Sequence, residues 1–259
     1  MNDEVDLDFL DAQDIILDFQ RVTKEFPGVM ALEDVSMQIR RGEIHGICGE
    51  NGAGKSTLMK ILSGVHPYGT YEGTVLYEGE ELRLDTRAIH EASRLGIAIV
   101  YQELTLVPNM TVGENVFLGR EPASRGVINW NKLYADTNAI LTRYRLDVPS
   151  QARVKSLGVG KMQMVEIAKA LSEDAKVLIL DEPTSALTEA EIDKLMDILH
   201  VLKENGVTCI YITHKLEELF RITDNVTVLR DGRAVITRPT HDMTCLLYTS
   251  DAADEEDSV

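Results

Sequence analysis

The sequence predicts an α/β fold with a mostly parallel core sheet and helices on both faces. Three observations carry this expectation. Strand-like and helix-like runs alternate along most of the chain, the pattern of strand–crossover–strand units. The strand Glu43–Cys48 runs straight into a glycine-rich loop and then a helix, and Val177–Leu180 is an apolar strand that ends in two acids. From about Leu104 to Ser156 the β-branched runs thin out and the pattern turns to helices and loops, which reads as a helical subdomain inserted between strands.

In chain order, Ile15–Val22 and Val35–Ile39 read as strands, with a turn around Pro27-Gly28 between them. Glu43–Cys48 is the strand before the glycine loop, and Lys55–Leu62 the helix after it. Thr74–Tyr77 and Ile97–Tyr101 are short strands. Met162–Leu171 is helical, with Met164, Ile167, Ala168 and Leu171 on one face. Glu189–Glu204 is an amphipathic helix, and Gly206 stands near its expected C-terminal cap. Val207–Thr213 is a strand, and Leu216–Ile222 a helix. Val226–Leu229 and Ala234–Ile236 flank Asp231-Gly232, a strong hairpin signal.

The composition narrows the function classes. The chain of 259 residues carries a net charge of −17. Eleven of its 43 acids lie in residues 1–14 and 251–257 without a base among them; without those, 32 acids face 26 bases. Such blocks read as solvated ends on a mildly acidic domain, and an acidic chain without a basic stripe is a poor nucleic-acid binder. No run approaches the roughly 18 apolar residues of a membrane helix, and the start, MNDEVDLDFL, lacks the basic and apolar regions of a secretory signal. Cys48, Cys209 and Cys245 form no CxxC pair, which fits a reducing compartment rather than a disulfide or metal role.

The sharpest chemical signal is Gly49-Glu50-Asn51-Gly52-Ala53-Gly54-Lys55-Ser56, followed by Thr57, a match to GxxxxGK[ST]. Its glycines let backbone N–H groups turn inward around phosphate oxygens. The following helix aims the positive end of its dipole at the same place. Lys55 is expected to reach the β- and γ-phosphates of ATP, and Ser56 to ligate Mg²⁺. Two acids after a strand more often cap a helix. Behind a phosphate loop, Asp181 suits the Mg²⁺ shell, and Glu182 a general base for the attacking water. His214 ends a strand 33 residues after Asp181, at the same carboxyl edge, and is expected at the γ-phosphate. Gln102 follows another strand and can coordinate Mg²⁺ and water. A lone His or Gln at a strand end would mean little.

Taken in order, these residues resemble the ATPase domain of ABC transporters from about Ile15 to Asp242. The most specific piece is Leu157-Gly158-Val159-Gly160-Lys161, about 20 residues ahead of Asp181-Glu182, which looks like the family's LSGGQ signature. The resemblance implies a P-loop ATPase with an antiparallel β subdomain and a helical subdomain over about residues 104–156. It implies two such domains pairing head to tail, with Gly158 and Gly160 of each signature closing over the ATP on the other's phosphate loop. Gln102 then corresponds to the Q-loop, His214 to the switch histidine, and Ser185-Ala186-Leu187-Thr188 to the D-loop. Phe26 resembles the aromatic that stacks on adenine; a core Phe is the alternative there. GENGAGKST at Gly49–Thr57, Glu114–Gly119 and MVEIAKAL at Met164–Leu171 look like the sugar importers, and His66–Gly73 like their xylose-type members.

That resemblance implies a peripheral subunit on the cytoplasmic face of the membrane, with permease subunits and, indirectly, an extracytoplasmic sugar-binding protein as partners. Nucleosides or autoinducer-like molecules are the alternative cargo. A soluble ABC ATPase of DNA repair or translation would carry a coiled-coil insert or basic linkers, and a regulatory module would lose Lys55, Glu182 or His214. Three departures stand out: Gly158 replaces the usual signature Ser, Thr188 replaces the usual D-loop Asp, and the length suits one of the two ATPase domains such importers carry in one chain. Residues 243–259 do not look like the family's continuation. They are expected to be a disordered or non-native tail, and the chain a fragment.

Overall fold

The structure, a computed structural model, describes residues 14–85 and 88–243. Residues 1–13 of the expected acidic start and 244–259 of the expected tail over 243–259 lie outside the described residues. Met243, expected as the first residue of that tail, is instead buried and part of the hydrophobic core.

A long hairpin opens the fold: β1 (Ile15–Phe26) and β2 (Val29–Arg40) turn at Pro27-Gly28, where Gly28 takes φ +81°. β3 (Ile44–Cys48) and helix α1 (Lys55–Leu62) follow. β4 (Glu72–Tyr77) and the two-residue β5 (Glu80–Glu81) return to the hairpin, giving an antiparallel sheet ordered β2-β1-β4-β5. After α2 (Ala88–Arg94) and β6 (Ile97–Val100) the chain leaves the sheets. This excursion holds α3 (Val112–Val116), a small hairpin of β7 (Ala123–Ser124) and β8 (Val127–Ile128), and α4 (Trp130–Arg143). It returns through α5 (Val159–Leu171) to β9 (Val177–Asp181), α6 (Glu189–Glu204), β10 (Thr208–Ile212) and α7 (Leu216–Ile222). The hairpin of β11 (Asn225–Arg230) and β12 (Arg233–Pro239) follows, and a short 3-10 turn at Thr240–Asp242 ends the described elements.

The second sheet is ordered β12-β11-β3-β10-β9-β6. Every pairing in it is parallel except β11 with β12. Alternation along its central strands explains why they are apolar throughout. Ile179 of β9 and Ile210 and Ile212 of β10 face a core shared with α1 and the antiparallel sheet, through Leu58, Leu62, Leu17 and Phe19. Leu178 and Leu180 of β9, with Cys209 and Tyr211 of β10, face the opposite core, built with Val165, Ile167 and Leu199 of α5 and α6. A strand buried on both faces has no polar side to show.

The expected α/β class, the mostly parallel sheet and the antiparallel subdomain are all present. The differences lie at element ends. β1 and β2 run well past the expected 15–22 and 35–39, because the ladder continues through polar residues, down to Lys24 opposite Leu32 and Phe26 opposite Val29. α2 was not expected from the sequence. α5 begins at Val159 rather than Met162: its first turn contains Gly160, a poor helix former, yet Gly160 is buried against Glu191 of α6, and packing overrides propensity. Cys48 and Cys209 are free and buried, and burial pushes their thiols up to about 11 and about 12. Both act as small hydrophobes rather than nucleophiles.

Candidate ATP site

The phosphate loop begins where β3, buried along its whole length, ends. Gly49 takes φ +157°, and a Cβ placed there would come within 2.2 Å of the Leu229 carbonyl oxygen. Gly54, at φ +105°, would bring a Cβ within 2.6 Å of the Ala31 carbonyl oxygen. Only glycine lets the loop pass between β11 and β2. The Asp231-Gly232 turn braces it from outside: the Gly232 N–H donates to the Ala53 carbonyl (3.2 Å), and the Glu33 N–H to the Gly232 carbonyl (2.8 Å). Asp231 and Gly232 both have positive φ (50° and 78°), as a tight two-residue hairpin requires.

α1 starts at Lys55 with no acid in its first turn and no side-chain cap. Its first amides and the positive end of its dipole therefore face the cleft without an internal anion. The Lys55 side chain is buried and folded back over the loop, donating from Nζ to the carbonyls of Gly49 (2.5 Å) and Glu50 (2.9 Å).

The remaining polar groups arrive from the carboxyl ends of neighbouring strands. In sheet order these are β3 with the phosphate loop, β10 with His214, β9 with Asp181 and Glu182, and β6 with Gln102. In open parallel sheets this edge is where ligands bind. Glu182 is held with φ 45°, unusual outside glycine, by its N–H donating to the Ile212 carbonyl at 2.9 Å. Its two oxygens are shared. Oε1 lies 3.0 Å from His214 Nδ1, and Oε2 accepts from Gln102 Nε2 at 3.4 Å. Asp181 is half-buried; burial first, and then the neighbouring Glu182 charge, push its carboxyl above the usual range.

A cleft of about 380 Å³ is lined by Asn51, Gly52, Gly54, Lys55, Ser56, Thr57, Gln102, Asp181 and Glu182, with Val29 and Ala31 of β2 on one side. Gly49, Glu50 and Ala53 form the loop beneath it, and His214 joins through Glu182. The donor set suits Mg²⁺, with the Ser56 hydroxyl, the Gln102 amide and one carboxylate, Asp181, around one space. Mg²⁺ favours such oxygen donors and takes one or two carboxylates beside substrate phosphates. A carboxyl pushed upward by burial and a like charge is one that a cation would relieve.

Phe26 stands outside this lining. Its ring meets His66 edge-on at 5.3 Å between centroids, and Lys24 Nζ lies 5.0 Å from its centre. The flanking Val29 and Ala31, which sequence reading missed, line the cleft instead. Gly158 and Gly160 are also not brought to this phosphate loop. Gly158 is the N-terminal cap residue of α5, and Gly160 donates its N–H to Glu191 Oε1 at 3.2 Å in a separate cleft between α5 and α6. Thr188 has a local role where the family pattern has Asp: it caps α6, donating its N–H and hydroxyl to Glu191 Oε2 at 3.0 and 2.9 Å.

The glycine contacts separate two substitutions. Gly49→Ala is expected to cost at least about 2 kcal/mol of stability and to weaken nucleotide binding, since the new methyl meets backbone rather than a flexible side chain. Gly158→Ala, with open space around the position and ordinary φ, is expected to stay within about 0.5 kcal/mol. Urea unfolding of both variants checks the contrast.

This arrangement, a phosphate loop joined along one sheet edge by a carboxylate pair, a His and a Gln, is that of a nucleotide-binding cassette. The ABC transporter family model matches residues 32–185, and the chain belongs to that family. It is 58% identical over 222 residues to the xylose import ATP-binding protein XylG of Thermoanaerobacter pseudethanolicus, covering 86% of this chain and 44% of that protein. With the L-arabinose transport ATP-binding protein AraG of Geobacillus stearothermophilus it shares 50% identity, covering 86% and 43%. The chain thus spans somewhat under half the length of these curated relatives. Among solved structures, a dimeric ABC cassette in a post-hydrolysis state bound to ADP and Pi superposes with a TM-score of 0.72 at 26% identity, covering 87% of this chain and 99% of that one.

Proposed function

We propose that the chain is an ATP-binding and ATP-hydrolysing cassette that powers import of a pentose-type sugar from the cytoplasmic face of the membrane. The observation that carries the ATPase reading is the convergence of Lys55, Ser56, Asp181, Glu182 and Gln102 on one cleft, with His214 on Glu182. The similarity to xylose and arabinose import proteins supports the sugar. In this reading the loop amides and Lys55 bind the phosphates of ATP. Mg²⁺, held by Ser56, Asp181 and Gln102, would supply charge neutralisation at the phosphates. Glu182 accepts the proton of the attacking water, oriented between His214 and Gln102, and His214 faces the terminal phosphate.

Gly158 and Gly160 lie outside the phosphate cleft of their own chain, which supports a site completed by the signature of a second cassette. No helix among the described residues is long and apolar enough to cross a membrane. In the reading proposed here, cargo passes through permease subunits fed by an extracytoplasmic binding protein. Two measurements test this. Specific ATPase activity is expected to rise with protein concentration as cassettes pair; a flat rate over a wide dilution series of a monomer removes the shared site. With its permease in vesicles, the hydrolysis rate is expected to rise on adding xylose-loaded binding protein. A response to nucleoside instead replaces the sugar reading.

A further inference from the structure

We propose that Glu218 is a positioning residue for hydrolysis, a buried carboxylate that locks the loop after Glu182 to the strand end that carries His214. The proposal rests on the ATPase reading above and adds to it a residue outside the cleft lining.

Glu218 stands in the first turn of α7 and is 5% exposed. Its Oε1 accepts from the Thr184 hydroxyl at 2.7 Å and faces Lys215 Nζ at 3.0 Å. Its Oε2 accepts from the Tyr211 hydroxyl at 2.6 Å, the Thr184 hydroxyl at 2.8 Å and the Thr213 hydroxyl at 3.4 Å. Thr184, Tyr211 and Thr213 are themselves buried. A buried anion is costly unless its lone pairs are filled, and here donors surround both oxygens. Burial works against the charge, but the Tyr211, Thr184 and Lys215 hydrogen bonds outweigh it and hold the carboxyl below its ordinary range.

The positions of the donors give the cluster its consequence. Thr184 lies two residues after Glu182, on the loop leaving β9. Thr213 immediately precedes His214, at the end of β10, and its hydroxyl also accepts the Lys215 N–H at 3.0 Å. Glu182 and His214 therefore meet at 3.0 Å across two strands whose outgoing segments are both tied to one carboxylate. The phosphate loop, on β3 and α1, is not among the segments Glu218 holds. Loosening the clamp is expected to spoil the water-activating geometry and leave nucleotide binding alone.

A carboxylate accepts from all these donors at once. An amide offers one oxygen, and turns its NH₂ toward hydroxyls that now donate. Glu218→Gln and Thr184→Val in the full chain are expected to lower the kcat of ATP hydrolysis about 10- to 100-fold, the scale of sub-ångström to ångström misplacement. KM and the nucleotide Kd are expected to stay within about two-fold. Thr184→Ser, which keeps the hydroxyl, is expected to retain kcat. If Glu218→Gln does not fold, the Thr184→Val and Thr184→Ser pair with Tyr211→Phe carries the test. An unchanged kcat in folded Glu218→Gln or in Thr184→Val overturns the proposal. So does a parallel loss of kcat, affinity and melting temperature that Thr184→Ser shares, which is the mark of a merely structural cluster. Two controls assayed alongside separate the levels: a parent chain that hydrolyses no ATP removes the ATPase reading, wild-type turnover in Glu182→Gln removes Glu182 as the base the clamp would position, and an inactive Glu182→Gln beside a fully active Glu218→Gln removes only the clamp.

Discussion

Glu182→Gln is expected to bind ATP with undiminished affinity and to release phosphate at least about 100-fold more slowly, the lower range for losing a general base. The reasons lie in how the residue is held. Its backbone is pinned to β10 by the N–H donated to the Ile212 carbonyl, and its oxygens face His214 Nδ1 and Gln102 Nε2. Glutamine has the same shape and keeps one acceptor oxygen, so the backbone at φ 45° is undisturbed. What disappears is the capacity to accept a proton. In the proposed reading, affinity is set elsewhere, by the loop amides and Lys55 on the β3–α1 unit. It is expected to hold or rise slightly, because removing the Glu182 charge eases the repulsion that helps push the Asp181 carboxyl up. Parallel measurements of nucleotide binding and phosphate release decide the matter, and a variant that hydrolyses ATP at the wild-type rate takes the base role away from Glu182.

Much of this site could be read from the sequence because its parts are contiguous. Residues 49–56 announce the loop by their spacing alone, though the need for glycine at 49 and 54 comes from the distant backbone of Leu229 and Ala31. The apolar run at 177–180 announces a strand with no solvent face, and the acids after it fall at its carboxyl end. The hairpin turn at Asp231-Gly232 was legible too, though not its use as a brace for Ala53. What the sequence did not disclose depends on partners far apart in the chain. Val29 and Ala31 line the cleft only because β2 packs beside the phosphate loop. Phe26 is taken up by His66 and Lys24, a pairing set by side-chain packing rather than by any local pattern. Glu218 looks in the sequence like a surface acid in Leu216–Ile222. Its burial follows from Tyr211 and Thr184 arriving from two other elements. α5 gained a turn, through Val159 and Gly160, from contact with Glu191 of α6, which propensity cannot foresee.

Lys55→Ala is expected to weaken ATP binding by about 100-fold, the upper range for one charge-assisted contact, and to bring hydrolysis to background. Lys55 is buried, and among the described contacts its Nζ donates only to the carbonyls of Gly49 and Glu50. It therefore stands over the loop with its third N–H and its charge directed to the cleft rather than tied up in an ion pair. Negative phosphates would otherwise approach the half-buried carboxylates of Asp181 and Glu182, and the Lys55 charge is what offsets that repulsion. Alanine removes the offset and leaves two loop carbonyls without their donor. The loop itself is expected to persist, because its shape depends on Gly49, Gly54 and the Gly232 brace rather than on the lysine. The contrast with Glu182→Gln is the informative result: one variant loses binding and with it turnover, the other keeps binding and loses turnover. Calorimetric titration with ATP, run beside thermal unfolding of the same preparations, measures both. A folded Lys55→Ala that binds ATP as tightly as the parent chain would place the phosphates elsewhere and remove the cleft at residues 49–57 as the nucleotide site.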